Sequence, residues 1–430
     1  MKNFRPYLNY LDKIVDEAIR LPLSTASLDA ALDGQPADEL RRLVSLDEMR
    51  STGAFFTSSK LSKIALQKFV KSLDEQSIIL DPACGAGDLL IACAMHLPKG
   101  RTLKSTLQIW GDRIMGRDLH PEFIRATKNR LVLAAIREDV SINDHRLSSL
   151  EALFPQIEER NGLSDYDAIR AASHIVINPP FTMVETPENC SWASGKINAA
   201  ALFLEACIEQ ANNGTRIMAI LPDVLRSGSR YRKWREIIER RTRQLRLQLY
   251  GQFDQWADVD VFILELEVQQ NTKGGRSKRW KQPGKARQRI GDRFNVCIGP
   301  VVDYRDPHQG PRHPFIKPRD LAAWETVNHI SQNRRFKGRI LSPPFVVVRR
   351  TSRLGDKHRA VGTIISHAKP VAVENHLIAL LPKDDSLETC QGLLRVLKRP
   401  ETTQWLNQRI RCRHLTVSSL AELPWWGEEG

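Results

Sequence analysis

The chain has few of the residues that tie a fold together covalently or anchor it in a bilayer. Its seven cysteines (Cys84, Cys93, Cys190, Cys207, Cys297, Cys390 and Cys412) are odd in number, scattered, and contain no C-x-x-C pair. That excludes a disulfide framework and a cysteine-based zinc site as organising devices. No apolar run reaches the roughly 18 residues that a bilayer requires, and the stretch 1–20 is interrupted by charge throughout, unlike a secretory leader. The expectation is a soluble protein of a reducing, cytoplasmic compartment, with no metal and no membrane partner.

Acidic side chains are also in deficit. Against 64 Lys plus Arg stand only 50 Asp plus Glu, a formal charge of +14. Such a balance favours a polyanionic partner, nucleic acid above all, although many basic proteins merely carry solvated cationic surfaces. What is present is ordinary for a globular chain: 41% hydrophobic and 27% charged residues suffice to bury real cores. At 430 residues the chain exceeds one typical domain, and two are expected.

Residues 1–50 place Leu11, Ile14, Val15, Ala18 and Ile19 at helical spacing, which predicts a helical N-terminal segment. Over 51–270, short apolar runs (Ile78-Ile79-Leu80, Ile175-Val176-Ile177, Ile217 to Leu221, Val261 to Leu264) alternate with helix-like stretches. That alternation predicts a doubly wound, Rossmann-like α/β sheet. Apolar residues then nearly vanish from 271–293, a stretch rich in Lys, Arg, Gly and Gln that reads as a basic linker. Mixed strands (Phe345 to Val348, Leu377 to Leu381) and helices (Leu387 to Leu397, Thr403 to Ile410) follow, predicting a second, α+β domain over 294–430.

Two segments carry chemistry. In Ile78 to Leu90 a buried strand leads into Asp81-Pro82-Ala83-Cys84-Gly85-Ala86-Gly87-Asp88. Glycines there let the backbone pass close to a ligand over the carboxyl end of the strand. A carboxylate at the strand tip would repel a pyrophosphate and suits a cationic amino group, so Asp81 points to a zwitterionic cofactor such as S-adenosyl-L-methionine. Downstream, Asp118 in Met115-Gly116-Arg117-Asp118-Leu119-His120-Pro121 would end the next strand, where a carboxylate can accept from ribose hydroxyls or cap the helix that begins near Pro121.

The second segment is Ser173-His174-Ile175-Val176-Ile177-Asn178-Pro179-Pro180-Phe181. Prolines stiffen the backbone and donate no N–H, leaving their carbonyls as acceptors, and Asn178 adds a side-chain oxygen. Two such acceptors can hold an aryl amino group by its hydrogens and aim its lone pair at a methyl donor, while Phe181 stacks on the flat base. An amine conjugated into an aromatic ring is a poor nucleophile, so positioning and charge stabilisation must supply the catalysis.

In this order and spacing the chain resembles the N6-adenine DNA methyltransferases of type I and many type II modification systems. In that family a cofactor site is followed by a catalytic Asn-Pro-Pro-aromatic motif and a carboxyl-terminal target-recognition domain. The resemblance covers about residues 46–268. It implies that Thr52-Gly53-Ala54-Phe55-Phe56-Thr57-Ser58 folds over the methionine end of S-adenosyl-L-methionine, with Thr52, Ala54, Phe55 and Thr57 as contacts. It further implies that Asp81, Ala83, Cys84, Gly85, Gly87, Asp118, Leu119 and Asn178 line the cofactor. Asn178, Pro179, Pro180 and Phe181 would hold a flipped adenine. Gly214 to Ser227, with Leu221-Pro222, resembles the family's following strand and loop. Ser58 stands where many relatives have proline, and Phe181 where tyrosine is commoner. The segment that helps seat the adenine is placed around Ile142-Asn143-Asp144.

The resemblance implies double-stranded DNA as partner, with any restriction endonuclease or specificity subunit on a separate chain. Basic residues of the linker (Arg279 and Lys281, beside Trp280) and of a second cluster (Arg334, Arg335, Lys337, Arg339, Arg349, Arg350, Arg353) are the candidates for phosphate contact. Of these, Arg279, Lys281, Arg335, Arg349, Arg350 and Arg353 are taken as the DNA-binding set. The motif Asn-Pro-Pro-aromatic also occurs in enzymes that methylate RNA bases or protein glutamine amides, and a DNA-binding subunit that has lost turnover would keep the same fold. Ser342-Pro343-Pro344-Phe345 resembles the catalytic motif of amino-cytosine methyltransferases, but no buried strand precedes it.

Overall fold

A computed structural model describes residues 4–21, 24–45, 48–49, 55–138, 140–142, 148–254, 259–270, 288–411 and 413–426. Thr52, Ala54, Asn143, Asp144, Arg279 and Lys281 lie outside the described residues. The chain divides into two compact units, residues 1–226 with 230–280, and residues 227–229 with 281–430.

The first unit begins with three helices, α1 (Arg5–Arg20), α2 (Thr25–Leu32) and α3 (Gln35–Leu43). The helical spacing of Leu8, Leu11, Ile14, Val15, Ala18 and Ile19 gives α1 one buried face, which packs on the helix Pro121–Arg137. Strands β1 (Ile79–Asp81), β2 (Ile114–Asp118), β3 (Ile157–Glu159) and β4 (His174–Ile177) are followed by a small hairpin, β5 (Met183–Glu185) with β6 (Lys196–Asn198), and then by β7 (Arg216–Pro222), β8 (Thr242–Gln252) and β9 (Asp260–Val268). Seven of them form one sheet in the order β3-β2-β1-β4-β7-β9-β8. The first five are parallel, while β9 and β8 close the edge antiparallel. This is the expected doubly wound α/β sheet.

Parallel strands buried on both faces read as continuous apolar runs, and the pleat sends alternate residues to opposite cores. Ile79, Ile114, Val176, Met218 and Ile220 join the core under α1 and the helix Pro121–Arg137. Leu80, Met115, Ile175, Ile177 and Ala219 join the other, with Leu204 of the helix Ala199–Gln210 and Trp234 of Arg232–Arg240. The order of strands reverses at β1, since β2 and β3 lie on one side of it and β4 on the other. Open α/β sheets bind ligands at such a switch point, beyond the carboxyl ends of the strands. No helix among the described residues is long and apolar enough to cross a membrane.

The second unit carries β10 (Phe294–Ile298), β11 (Arg312–Ile316), β12 (Thr326–Val327), β13 (Asn333–Arg335), β14 (Phe345–Arg349), β15 (Gly362–Ile365), β16 (Ala372–Val373) and β17 (Leu377–Pro382). They make a five-stranded sheet ordered β10-β17-β14-β15-β12 and a three-stranded sheet ordered β13-β11-β16. Val346, Val348, Ile378 and Leu380 face the helices Leu387–Lys398 and Pro400–Arg409, while Phe345, Val347, Leu377 and Ala379 fill a core on the opposite face. Phe345 is fully buried there, so the Ser342-Pro343-Pro344-Phe345 look-alike offers no ring to a base.

Candidate active site

The tips of β2, β1 and β4 bring Asp118, Asp81 and Asn178 to the switch point. Between them runs the glycine turn. Gly85 and Gly87 adopt positive φ of 52° and 86°, a region that costs a residue with a Cβ. Space is as short as strain: a Cβ on Gly85 would sit 3.0 Å from Cε1 of Phe56, and one on Gly87 would sit 2.8 Å from Cγ2 of Thr127. Asp118 fastens the turn to the neighbouring strand, its carboxylate accepting from the Gly85 N–H (3.0 Å) and the His120 N–H (2.9 Å). The helix Pro121–Arg137 takes His120 as its N-cap with no side-chain cap bond, so Asp118 braces the turn before the helix rather than capping it.

Asp81 is buried and accepts from the Ala83 N–H at 3.0 Å. Burial, reinforced by the nearby Asp118 and Asp88 carboxylates, pushes its carboxyl up to about 8 with no basic side chain among its influences. Burial also raises Asp118, against hydrogen bonds from His120 and Gly85. A ligand bringing a cationic amino group would supply the missing charge. Burial raises the Cys84 thiol as well, which keeps it a packing residue rather than a nucleophile.

Asn178 is held from one side. Its Nδ2 donates to Thr57 Oγ1 at 2.9 Å and to the Phe55 carbonyl at 3.5 Å. Its Oδ1 is buried with no hydrogen-bond partner. A buried acceptor left open costs about 1–3 kcal/mol, and such an exception calls for a ligand or a catalytic role. No backbone N–H among the described residues is directed at the Pro179 or Pro180 carbonyl. The Phe181 ring packs edge-on against Phe253, with centroids 5.6 Å apart, and its carbonyl accepts from Asn198 Nδ2 at 2.9 Å. The hairpin that follows is thereby tied to the motif.

A cleft of about 110 Å³ opens at these tips. Of the residues expected at the cofactor, Phe55, Ala83, Gly85, Asp118, Leu119 and Asn178 line it, as does Pro180 of the motif. Asp81 and Cys84 are buried, Gly87 starts the helix Asp88–Ala94, and Thr57 serves through Asn178. A larger cavity of about 540 Å³ lies along the helices Ala199–Gln210 and Arg232–Arg240, lined by Glu205, Glu209, Arg240 and Arg241 among others. It has neither the glycine turn nor the open acceptor, so the smaller cleft is the candidate site.

Phe56 belongs to the segment expected over the cofactor, and the lining adds residues outside the expected contacts: Pro82, His120, Phe123, Arg160, Asn161, Gly162 and Phe203. Phe56, Phe123 and His120 form one aromatic wall, with ring centroids 4.9 and 5.1 Å apart. Arg160 to Gly162 leave β3, whose sequence Ile157-Glu158-Glu159 has no apolar run to betray a strand. A Cβ on Gly162 would fall 2.0 Å from the Pro82 carbonyl, so the two loops meet only because that residue is glycine. Ser58, where proline is common in the family, caps the helix Ser59–Leu66 by accepting from the Leu61 N–H at 3.3 Å, a role proline cannot fill.

In the second unit Arg335, Arg349 and Arg353 are exposed and Arg350 is half-buried. Arg334 departs from the expectation of a surface cation. It is buried in an ion pair with Asp303, because Asp303 and the carbonyls around it draw the guanidinium inward.

Residues 42–245 match the family model described as N-6 DNA methylase. No curated protein gives a significant match. Among solved structures, the type IIL restriction-modification enzyme MmeI in complex with DNA is similar with a TM-score of 0.54 at 12% identity, over 90% of this chain and 70% of that one. The type IIG restriction endonuclease BpuSI gives 0.41 at 14% identity over 85% of this chain, and the chain spans 57% of that enzyme's length. The M protein of the type I restriction enzyme EcoKI gives 0.38 at 20% identity over 54% of this chain and 47% of that one.

Proposed function

Since residues 42–245 match the N-6 DNA methylase family model, we propose that this protein transfers the methyl group of S-adenosyl-L-methionine to the N6 amino group of adenine in double-stranded DNA, as the modification activity of a restriction-modification system. The observation that carries the reading is Asn178. Its amide nitrogen is committed to Thr57, which leaves a buried, unpartnered Oδ1 at the edge of a cleft lined by the glycine turn.

The residues at the cleft suit the cofactor's chemistry. Asp81 is a buried carboxylate in need of a cation, Asp118 lies at the rim for ribose hydroxyls, Ala83 and Gly85 let the backbone approach, and Leu119 with Phe55 offers apolar surface. Bound, the cofactor supplies an electrophilic methyl carbon. Asn178 Oδ1 and the Pro179 carbonyl take the two amino hydrogens of adenine, and Phe181 faces the ring. With those two acceptors on its hydrogens, the amino lone pair would be aimed at that carbon, and the proton the nitrogen sheds on methylation would pass to solvent. The amino group is inaccessible inside a duplex, so the base must be flipped out. We assign residues 294–430 the role of target recognition, with Arg335, Arg349, Arg350 and Arg353 on DNA phosphates; a nuclease or specificity subunit would be a separate chain.

Incubating the protein with labelled S-adenosyl-L-methionine and unmethylated duplex DNA, then digesting to nucleosides for mass analysis, is expected to give N6-methyladenine. Label in 4-methylcytosine, or label only in RNA or protein acceptors, would overturn the reading.

A second expectation concerns protons. At pH 7 Asp81, raised to about 8 by burial, is mostly protonated, and pairing with the cofactor's ammonium would draw its pKa down. Binding should therefore release close to one proton at pH 7 and tighten as pH rises towards 8. In the absence of cofactor the linkage runs the other way. A folded pKa of about 8 against an unfolded value of about 3.9 gives stability that is full below pH 4 and lost as pH rises through 8. Calorimetric titration in buffers of different ionisation enthalpy measures the release. An Asp81→Asn variant should show none, and an equal release from it would remove Asp81 from this role.

A further inference from the structure

The loop between β10 and β11 holds the most exposed large apolar side chain among the described residues. Tyr304 is 88% accessible, against 40% for Ile298, the next in the second unit. A lone exposed aromatic on a slack loop would mean little, but this loop is firmly tied. The Arg305 and Asp306 N–H groups donate to the Val302 carbonyl at 3.0 and 2.8 Å, and the Asp306 carboxylate accepts from the Val302 N–H at 2.7 Å. Beneath them the buried Arg334 guanidinium reaches the Asp303 carboxylate and the Asp306 carbonyl, the latter at 2.5 Å. Lys317 donates to the other Asp303 oxygen at 2.6 Å. Arg334 and Lys317 both lie over the Phe315 ring, 5.4 and 5.2 Å from its centroid. A backbone fixed on such a base has already lost much of the entropy that ordering the loop in a complex would cost.

Its surroundings are cationic. The loop ends against β13, where Arg335 donates to the Gly310 carbonyl at 3.3 Å. Gly310 packs so closely on Lys337 that a Cβ would fall 2.5 Å from that side chain's Cγ. Arg305, next to Tyr304 in the chain, is exposed, as are Arg335 and Lys337, which meet the loop at its far end, Gly310. Cations that track phosphates combined with an aromatic face on which a base stacks make up the recurring means of gripping unpaired or unstacked bases.

We propose that residues 302–310 form a tip that enters duplex DNA, with Tyr304 stacking on a base while Arg305, Arg335 and Lys337 neutralise the flanking phosphates. Asp303 and Arg334 are the strut that positions it. The proposal rests on the DNA-methylase reading and adds to it a residue that no basic patch reveals.

The test uses the full chain and unmethylated genomic DNA, together with the same DNA carrying 5-iodouracil for photo-crosslinking. Tyr304→Ala is expected to lower methyl transfer at limiting DNA by about 5- to 150-fold, the range of one base–aromatic stack. Tyr304→Phe should stay within about twofold, because the ring is what matters. The slope of log affinity against log salt should be unchanged in Tyr304→Ala, whereas Arg335→Ala and Lys337→Ala should each reduce it by about one. Thermal unfolding of Tyr304→Ala should match wild type, and the crosslinked peptide should contain Tyr304. Wild-type transfer by Tyr304→Ala, or crosslinks that map elsewhere, would overturn the tip while leaving the methylase reading intact. Absence of any transfer to DNA by the wild-type chain would remove both.

Discussion

Asn178→Ala should lower methyl transfer to DNA by about 10²- to 10³-fold, the usual cost of deleting one preorganised polar group at a reacting atom. Cofactor affinity should move far less. The argument is geometric. Thr57 and Phe55 take the amide nitrogen, so the group presented to substrate is an acceptor. What that acceptor gains in the transition state is the partial positive charge developing on the attacking amine. Alanine removes it and also releases the loop at 55–57, so a companion variant is needed to separate the two effects. Asn178→Asp keeps an oxygen on each side, and the Thr57 hydroxyl can turn to donate. It should keep the Thr57 bond while losing the longer one to the Phe55 carbonyl, and retain more activity than alanine. Single-turnover transfer with saturating cofactor decides the matter: equal loss in both variants would mean that the donor to Thr57, rather than Oδ1, is what the reaction uses.

This distinction could not be read from the chain alone. Asn178 and Thr57 are 121 residues apart, and spacing says nothing about which end of an amide faces the cleft. What the sequence does carry is whatever burial imposes locally. Strands β1, β4, β7 and β9 are covered on both faces and announce themselves as apolar runs, and the glycine turn and the proline pair fix the loops that follow β1 and β4. Strand β3 is short and largely acidic, and β8 has a broken register against β9 between Arg243 and Arg246 and between Leu249 and Gly251, so neither leaves a pattern. The same limit applies to charge. Arg334 and Arg335 are neighbours in a basic run, yet on β13 they point to opposite faces, one buried against Asp303 and the other exposed. Period-two alternation sorts them, once the strand is known to exist.

Arg130→Met should destabilise the first unit by about 3–5 kcal/mol, the usual cost of removing one partner of a buried, hydrogen-bonded charge pair. Arg130 is fully buried on the helix Pro121–Arg137. Its Nε donates to the Ala31 carbonyl at 3.1 Å and one Nη to the Leu32 carbonyl at 2.9 Å, both at the end of α2. The other Nη reaches the Ala86 carbonyl in the glycine turn, and the guanidinium pairs with Asp88 at 2.9 Å. One side chain thus joins the N-terminal helices to the cofactor loop. Methionine fills much of the space but leaves three carbonyls short of a donor and a carboxylate without its cation. The pH dependence separates the charge from the carbonyls. Burial already raises Asp88, with Arg130 opposing it, and without Arg130 the carboxyl must climb further. A folded pKa raised above the unfolded one gives stability that is present at low pH and lost as pH rises. The deficit of Arg130→Met should therefore narrow at pH 5 relative to pH 8, and adding Asp88→Asn should recover part of it and flatten the profile. Urea unfolding of the two single variants and the double variant across that range measures both terms. A deficit under about 1 kcal/mol would mean that Arg130 fills space rather than tying the turn.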